Sequence, residues 1–351
     1  MKVIHIADVH LGCVPDAGKD WSKKRAGDIW DSFAEVVALA GRQKADFLFI
    51  TGDLFHGQPL KRDLREVNEL FRKIPDTRVL LLAGNHDYMR PKSYYLSYPW
   101  AENVYLFKQE ELDYYDFPEL HTTVYGLSYW HREIAGKLYD EVQPIDKSRT
   151  NLLLAHGGDV RHIPFSPEKI INHGFDYLFA GHIHKGGWLI ADRALMAGSL
   201  EPTDCNDVGP HGYWMGELEK GRCDMHFFPI RKCEYCHEIY EVTPQTTEWE
   251  IRNWAGQLLR ERPAYQYFRL NIRGRKAPDA NYHLEFAETM ERIVDVTVQL
   301  VTDYDYDRLE REYAGSLLGA YIKTMRGKEG NVVSQKALEY GVQALLGERD
   351  M

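Results

Sequence analysis

The chain has 351 residues, of which 44% are hydrophobic and 27% charged, a composition typical of a globular protein and without an apolar run long enough to cross a membrane. The formal net charge of −10 argues against a protein that binds nucleic acid through its overall charge, although bound cations and basic stretches can reverse the potential locally. The first apolar run is short and soon meets Asp8 and His10, unlike a signal peptide, so we expect a cytoplasmic protein with reduced cysteines.

Short apolar runs alternate with amphipathic stretches over residues 1 to 230, and this alternation predicts a layered α/β domain. The predicted strands are 2–7, 46–51, 78–83, 122–127, 151–155, 176–180 and 193–198. The predicted helices are 26–44 and 61–73, and the segments 212–218 and 223–230 are predicted to form a closing hairpin.

The pattern changes after residue 234 and predicts a small α+β domain followed by two amphipathic helices. Its predicted strands are 237–243, 265–273 and 294–301, with helices near 248–260 and 284–293. The last two helices, 307–325 and 332–346, either pack on their own domain or dock a partner. The expected domains are 1–232, 233–303 and 304–351.

Five predicted strands of the first domain run directly into polar side chains. The segments that follow them are D-V-H at 8–10, G-D-L-F-H at 52–56, G-N-H-D at 84–87, H-G-G at 156–158 and G-H-I-H at 181–184. Functional groups gather beyond the carboxyl ends of strands in open α/β sheets, so we expect these side chains at one sheet edge. Each residue alone has an ordinary explanation as a cap, a turn or a core polar group, but the joint occurrence favours a site. The adjacent glycines would let the backbone approach it closely.

These segments offer two carboxylates, one carboxamide and four imidazoles as metal ligands. They are Asp8, His10, Asp53, Asn85, His156, His182 and His184. Mixed oxygen and nitrogen donors suit manganese, iron or zinc, and thiolates typical of a structural zinc site are missing from the set. The set is too large for one tetrahedral ion and sufficient for two ions if one carboxylate bridges them. The two imidazoles of H-I-H could then reach different ions.

In the order D-x-H, G-D, G-N-H-D, H-G and G-H-x-H, these blocks resemble the signature of the calcineurin-like metallophosphoesterases. The G-D-L-F-H form at 52–56 and the chain length are similar to the SbcD/YhaO-type DNA-repair exonucleases. The resemblance implies an α/β fold with a layered β-sandwich core flanked by helices, a smaller α+β capping domain that frames DNA, and C-terminal helices. It also implies an SMC-like coiled-coil ATPase partner of the SbcC/YhaN type and a homodimer.

The resemblance further assigns roles to residues that match the motif. Asp8, His10 and His184 would hold one ion, Asn85, His156 and His182 would hold the other, and Asp53 would bridge them. Manganese is the expected metal, with iron, zinc and magnesium as alternatives. His86 would stabilise or protonate the leaving oxygen, and Asp87 would orient His86. His56 would position the DNA. The expected reaction needs no nucleophilic side chain and forms no covalent intermediate.

Two other functions stay open at this point. The same metal core could hydrolyse small nucleotides or phosphoproteins. Release of mononucleotides from linear DNA would distinguish the exonuclease from this alternative. A non-catalytic DNA-tethering subunit would have no need of a full ligand set.

Four further clusters have both a functional and a structural explanation. One basic and aromatic group could bind DNA or pack on the domain, and consists of Arg90, Lys92, Tyr94, Tyr95, Tyr98 and Trp100. A similar candidate is the run Lys23, Lys24 and Arg25, whereas a solvated strand face explains the group Arg269, Arg273, Arg275 and Lys276. Cys233, Cys236 and His237 match a haem-attachment pattern, but buried thiols are the expected state.

Overall fold

The computed structural model describes residues 1–285, 290–327 and 332–347. The chain divides into two compact units, Met1–Tyr235 and Cys236–Met351. In the described ranges we find no helix with the length and apolarity needed to cross a bilayer.

The first unit contains two six-stranded sheets. In spatial order, the first sheet consists of β12 (Arg222–Ile230), β11 (His211–Glu219), β1 (Lys2–Ile6), β2 (Phe47–Thr51), β3 (Arg78–Leu82) and β4 (Val104–Leu106). Strands β1 to β4 are parallel, and the predicted hairpin joins β1 in antiparallel orientation. The hairpin therefore closes this edge as expected.

The second sheet consists, in spatial order, of β5 (Asp113–Phe117), β6 (Thr122–Gly126), β7 (Thr150–His156), β8 (Tyr177–Gly181), β10 (Ala194–Met196) and β9 (Gly187–Ile190). Its four inner strands are parallel and its two edge strands are antiparallel. Sequence analysis missed β4, β5 and β9. Two of these are very short, and β5 carries acidic residues in place of a continuous apolar run.

The two sheets pack face to face as a β-sandwich. Phe49 of the first sheet and Phe179 of the second lie with ring centroids 5.2 Å apart in a shared core that also contains Val3, Phe47 and Leu152. The layered β-sandwich that the family resemblance implied is therefore confirmed, but the polar segments follow strands of both sheets and not of one sheet. The polar segments nevertheless gather because both sheets present carboxyl ends of parallel strands to the same region.

Helices cover the outer faces of the sandwich. Helix α1 (Ser22–Arg42) packs Ile29 and Phe33 on the first sheet, next to α2 (Lys61–Arg72). The short segments α3 (Tyr94–Ser97) and α4 (Pro167–Asn172) and the 3₁₀ turn Pro118–Leu120 complete this unit. This layering brings hydrophobic stripes of helices and sheets together.

The second unit has a three-stranded sheet with the order β13 (Glu234–Val242), β14 (Gln266–Lys276) and β15 (Ile293–Thr302). Helix α5 (Glu248–Glu261) covers it and buries Ile251 against Phe268 and Leu270. The predicted capping box opens this helix, since Thr247 accepts from the Glu250 backbone and Glu250 accepts from the Thr247 N–H. The remaining helices are α6 (Tyr306–Glu312), α7 (Leu317–Arg326) and α8 (Val332–Leu346).

The predicted helices 307–325 and 284–293 of this unit have different outcomes. The predicted helix 307–325 is wrong as one element, because Gly315 adopts a φ of +85° and Ser316 caps a new helix. Of the helix expected near 284–293, residues 286–289 lie outside the described residues, and Ile293 already begins β15.

Candidate metal centre

The structure brings the seven predicted ligands together at the carboxyl ends of β1, β2, β3, β7 and β8, and we call these side chains the donor cage. The ligand atoms of Asp8, His10 and His184 lie within 4.8 Å of one another, as do those of Asp53, His156 and His182. Asn85 Oδ1 is 3.0 Å from both His156 Nε2 and His182 Nδ1. The cage therefore has two halves.

Asp53 lies between the two halves. Its Oδ2 atom is 4.0 Å from His10 Nε2 and 3.5 Å from His156 Nε2. Its Oδ1 atom accepts a hydrogen bond of 2.8 Å from the His86 backbone N–H. This is the placement expected of a carboxylate that bridges two ions.

The hydrogen bonds around the cage test whether the donors fit cations. The Nδ1–H of His156 donates to the Thr51 carbonyl at 2.9 Å, and the Nε2–H of His182 donates to Asp159 at 2.8 Å. In those tautomers the inner nitrogens of both rings are lone-pair donors, and they face the Asn85 oxygen, which is also an acceptor. Three acceptors so close together repel one another unless a proton or a cation lies between them.

The other half of the cage shows the same feature. The Nε2 atoms of His10 and His184 face each other at 3.1 Å, so at most one hydrogen can lie between them. Asp8 Oδ1 is buried without a hydrogen-bond partner in the described part of the chain, whereas its Oδ2 accepts from the His182 N–H. Buried polar atoms are normally paired. The donor set therefore fits two divalent cations.

Backbone conformation also marks the cage. Four of its non-glycine residues have positive φ angles, namely Asp8 at 48°, His10 at 54°, Asp53 at 51° and His182 at 100°. Such conformations are unfavourable for L-residues and persist only where the surrounding structure enforces them. The strain is concentrated where donors must point inward.

The glycines beside the donors allow the close approach that the sequence predicted. A Cβ atom at Gly52 would lie 2.1 Å from His156 Nδ1, and one at Gly84 would lie 2.2 Å from Asp53 Oδ1. At Gly181 it would lie 2.2 Å from the Thr51 carbonyl oxygen. No side chain fits at these positions without displacing the cage.

Burial and charge act against each other in the cage. Burial raises the pKa of the Asp8 carboxyl to about 6 and lowers the pKa of His10 to about 3. Burial also opposes ionisation of Asp53, but the neighbouring imidazole of His156 holds the pKa of that carboxyl below its ordinary range. Although burial disfavours an imidazolium, Asp53 raises the pKa of His156 to about 9. The negative potential that retains this proton would also attract a cation.

Two carboxylates that sequence analysis missed support the H-I-H histidines from outside. Asp159 accepts from His182 Nε2–H, and Asp207 accepts from His184 Nδ1–H at 2.9 Å. Such partners fix the tautomer and orientation of a metal-binding imidazole. The signal for Asp159 was its position three residues after His156, but Asp207 lies in a loop without a recognisable pattern.

His86 and His56 lie at the edge of the cage, where His86 is half-buried and His56 exposed. Their ring centroids are 5.3 Å apart, and the His86 ring lies 4.8 Å from that of His10. The His86 Nδ1–H donates to the His56 carbonyl at 3.3 Å, so its Nε2 atom is available to a substrate. Burial lowers the pKa of His56.

The structure gives Asp87 a different position from the predicted one. Its buried carboxylate accepts from the backbone N–H groups of Phe55 and Gly84 and from the Tyr95 hydroxyl. In the described part of the chain no hydrogen bond joins it to the His86 ring. Asp87 therefore ties the loops after β2 and β3 together and does not orient His86 directly.

The other predicted clusters are mostly structural. Arg25 is fully buried and pairs with Asp28 at 3.1 Å, so its predicted role in phosphate binding is wrong. Tyr95 is likewise buried in the core. In the basic and aromatic group to which Tyr95 belongs, Tyr98 and Trp100 pack against the first-unit core. Arg90, Lys92 and Tyr94 of that group are exposed.

The remaining two clusters have structural explanations within the described residues. The arginines of β14 pair with acidic neighbours, as in the 2.7 Å contact of Arg273 with Glu241. Cys233 is buried, and burial raises the pKa of its thiol. Over the described ranges, no cysteine belongs to a group of three side chains that could hold a metal ion.

Comparison with known proteins extends these findings. Residues 1–186 match the family model described as calcineurin-like phosphoesterase. The uncharacterized metallophosphoesterase YhaO of Bacillus subtilis is 24% identical over 246 residues, 65% of this chain and 60% of that protein. The DNA double-strand break repair protein Mre11 of Sulfurisphaera tokodaii is 28% identical over 198 residues, 52% of this chain and 49% of that protein. The chain thus spans between about half and three fifths of the length of these relatives.

Among solved structures, a dimetal phosphatase from Danio rerio aligns with a TM-score of 0.41 and 14% identity, covering 61% of this chain and 91% of that one. The family match is stronger, since it includes more than half of the 351 residues and all members of the donor cage. The chain belongs to the calcineurin-like phosphoesterases, metal-dependent hydrolases of phosphoester bonds that bind two divalent ions.

Proposed function

We propose that this protein is a manganese-dependent DNA exonuclease, possessing endonuclease activity as well, that acts in DNA repair. The observation that carries the proposal is the pair of accessible imidazoles, His56 and His86, beside the donor cage. A phosphodiester bound at the cage would meet one group suited to the leaving oxygen and a second suited to holding the strand. Curated relatives named DNA double-strand break repair protein Mre11 favour DNA as the substrate.

Two divalent cations in the cage would lower the pKa of a bound water and neutralise charge on the phosphate oxygens. The chain's own residues hold the reacting groups around them. Asp8, His10 and His184 would hold one cation, Asn85, His156 and His182 the other, and Asp53 both. Thr51, Asp159 and Asp207 keep the imidazole lone pairs of His156, His182 and His184 directed into the cage.

His86 is the residue we propose for proton transfer to the leaving oxygen. Its backbone is fixed by the hydrogen bond to Asp53 and its Nδ1–H by the His56 carbonyl. The Nε2 atom is then directed away from both partners, and its protonated form can donate to a departing alkoxide. A nucleophilic side chain is not required.

The test uses purified protein, end-labelled duplex DNA and Mn²⁺, with and without chelator. We expect chelator-sensitive release of mononucleotides. His86→Gln should reduce cutting by roughly 100-fold or more, because a general acid contributes about 10²–10⁴ to the rate. Calorimetry should give the same Mn²⁺ affinity for the variant and the original protein. Unchanged cutting by the variant would remove His86 from the mechanism.

A small diester separates the role of His56 from that of His86. His56→Asn should slow digestion of DNA but leave hydrolysis of bis(p-nitrophenyl) phosphate unchanged, because the small substrate has no strand to position. Activity on cyclic nucleotides or phosphopeptides without any on DNA would instead favour the alternative phosphoesterase function. Titration with Mn²⁺, Fe²⁺, Zn²⁺ and Mg²⁺ identifies the preferred metal.

The proposal includes partners for the second unit. Residues 233–303 would frame the DNA, and the helices of 304–351 would dock an SMC-like coiled-coil ATPase of the SbcC/YhaN type in a homodimeric assembly. Apolar side chains exposed on these helices support it: Leu317, Val333 and Tyr340 are 73%, 76% and 65% exposed. The double variant Leu317→Glu, Val333→Glu should abolish co-purification with the ATPase. The control variant Gln335→Glu, on the same helix as Val333, should not.

A further inference from the structure

A cavity of about 360 Å³ lies beside the donor cage, on the side of His184. Its walls come from the loop after β8, from the segment around Ala197 and from the hairpin strands β11 and β12. The volume falls within the range of about 300–1,000 Å³ that is usual for small-molecule sites. No predicted site residue other than His184 lines it.

Aromatic rings form a fixed part of the cavity wall. The Trp214 Nε1–H donates to the Ala197 carbonyl at 3.1 Å, which holds the indole in place. Phe227 of the neighbouring strand packs against that indole with ring centroids 5.4 Å apart and is half-buried. Rigid aromatic surfaces of this kind favour a flat apolar ligand.

The polar side chains of the cavity bond mainly to each other. The Asp207 carboxylate accepts from His184 and from both the N–H and the hydroxyl of Thr203. The His211 ring contacts the Ser199 hydroxyl at 2.7 Å and the Asp207 carbonyl at 3.1 Å. These hydrogen bonds all end on Asp207 Oδ2, and the negative charge of this carboxylate disfavours a second phosphate. Lys185 also lines the cavity, but its side chain is exposed, so the aromatic wall favours an uncharged ring as the ligand.

We propose that this cavity receives the nucleobase of the nucleotide whose phosphate is hydrolysed. His184 belongs to both the cage and the cavity wall, so a ring in the cavity lies next to a phosphate at the cage, as the base and phosphate of one nucleotide do. Stacking tolerates every base because all bases present a π face. The inference rests on the proposed nuclease function and adds the element of the substrate that is recognised.

The test compares two chromogenic diesters that differ in the base. Thymidine 5′-(p-nitrophenyl phosphate) carries a nucleobase and methyl p-nitrophenyl phosphate does not. We expect a KM roughly tenfold lower for the thymidine ester, the size of effect that one base–aromatic stack provides. Phe227→Ala should remove most of this preference and leave the KM of the methyl ester unchanged.

A control and a second variant guard against loss of folding. Phe228 follows on the same strand and stacks on Tyr213 with ring centroids 5.5 Å apart, so Phe228→Ala should retain the preference. Val208 lines the cavity and is 49% exposed, so Val208→Trp should block the cavity from its rim without disturbing the core. Its effect should match that of Phe227→Ala.

Equal KM values for the two esters in the original protein would overturn the inference. So would a preference that survives both cavity variants. Duplex DNA with an abasic terminal residue separates this result from failure of the proposed function. If natural and abasic ends were cut equally well, the base site would be rejected and the nuclease function would stand. Hydrolysis of the esters without any cutting of DNA would reject the nuclease, and the ester comparison would still decide on the base site.

Discussion

The two units of the chain treat charge differently. The unit Met1–Tyr235 buries ionisable side chains both in the donor cage and in its core, where Arg25 is fully enclosed. In the described residues of Cys236–Met351, the buried polar side chains are the amide of Gln266 and the hydroxyl of Thr302. Arg269, Arg273 and Arg308 of that unit form ion pairs at its surface.

This difference separates function from stability. Buried charges destabilise a fold unless they are paired, and even good pairing seldom repays the loss of hydration. The second unit avoids this penalty and relies on its apolar cores. In the first unit this penalty applies around the cage, where the buried charges have a chemical role. It also applies to the Arg25 cluster, which takes no part in the cage.

The largest effect should come from Gly52→Ala. The new Cβ would lie 2.1 Å from His156 Nδ1, so the imidazole must leave its place between Thr51 and the second half of the cage. We expect the variant to lose one of its two Mn²⁺ sites in calorimetry. It should also lose the hydrolysis of small diesters.

Gly12→Ala is the matched control for backbone strain. Gly12 has a φ of +90°, close to the +92° of Gly52, but a Cβ there meets nothing within 4 Å. Gly12→Ala should lower the free energy of unfolding by about 1–2 kcal/mol and keep both Mn²⁺ sites. If Gly52→Ala bound Mn²⁺ as Gly12→Ala does, the close-approach argument would be wrong.

The sequence was sufficient to predict which side chains meet in the donor cage, because each one lies at or shortly after the end of an apolar run that forms a buried strand. The hydrophobic pattern by itself did not reveal two sheets, which only the family resemblance implied, because short edge strands such as β5 carry too little of that pattern. The burial of Arg25 was also hidden, because a K-K-R run looks solvated until Glu201, 176 residues away, comes to face it. Asp207 acts through His184, and no local spacing links the two.

Glu201 tests the buried cluster outside the cage. Burial raises the pKa of its carboxyl to about 7, although Arg25, 3.5 Å away and shared with Asp28, acts in the opposite direction. The folded state thus binds this proton more tightly than the unfolded state. The resulting stabilisation is complete below about pH 4.5, the ordinary pKa, and is lost as the pH rises to about 7.

Glu201→Gln removes this titration. Relative to the original protein, the free energy of unfolding of the variant should rise by up to about 3 kcal/mol between pH 4.5 and pH 8. Urea unfolding of both proteins in chelator gives the difference at each pH. A difference that stays constant over this range would show that Arg25 keeps Glu201 ionised when folded.

The outer carboxylates should have a smaller effect, confined to metal binding. Asp159→Asn and Asp207→Asn should each weaken Mn²⁺ binding by about 10–100-fold, the usual cost of losing such a partner. They should act on different ions, because His182 and His184 belong to opposite halves of the cage. Nitrogen NMR of the histidines should show a changed tautomer in the metal-free protein, and restoring the aspartate as glutamate should recover part of the affinity.

The smallest effect should come from the surface charge of the second unit. Arg273 and Glu241 are 2.7 Å apart, but their side chains are 47% and 60% exposed. Water screens such a pair, and ordering two long side chains opposes it, so a double-mutant cycle of Arg273→Ala with Glu241→Ala should give a coupling of about 0.2–1 kcal/mol. The coupling should fall further in 1 M salt, where the screening length is about 3 Å. A coupling of several kcal/mol that persists in salt would mean that this sheet face is desolvated in solution. The second unit would then also hold charges away from water, and the contrast between the two units would be wrong.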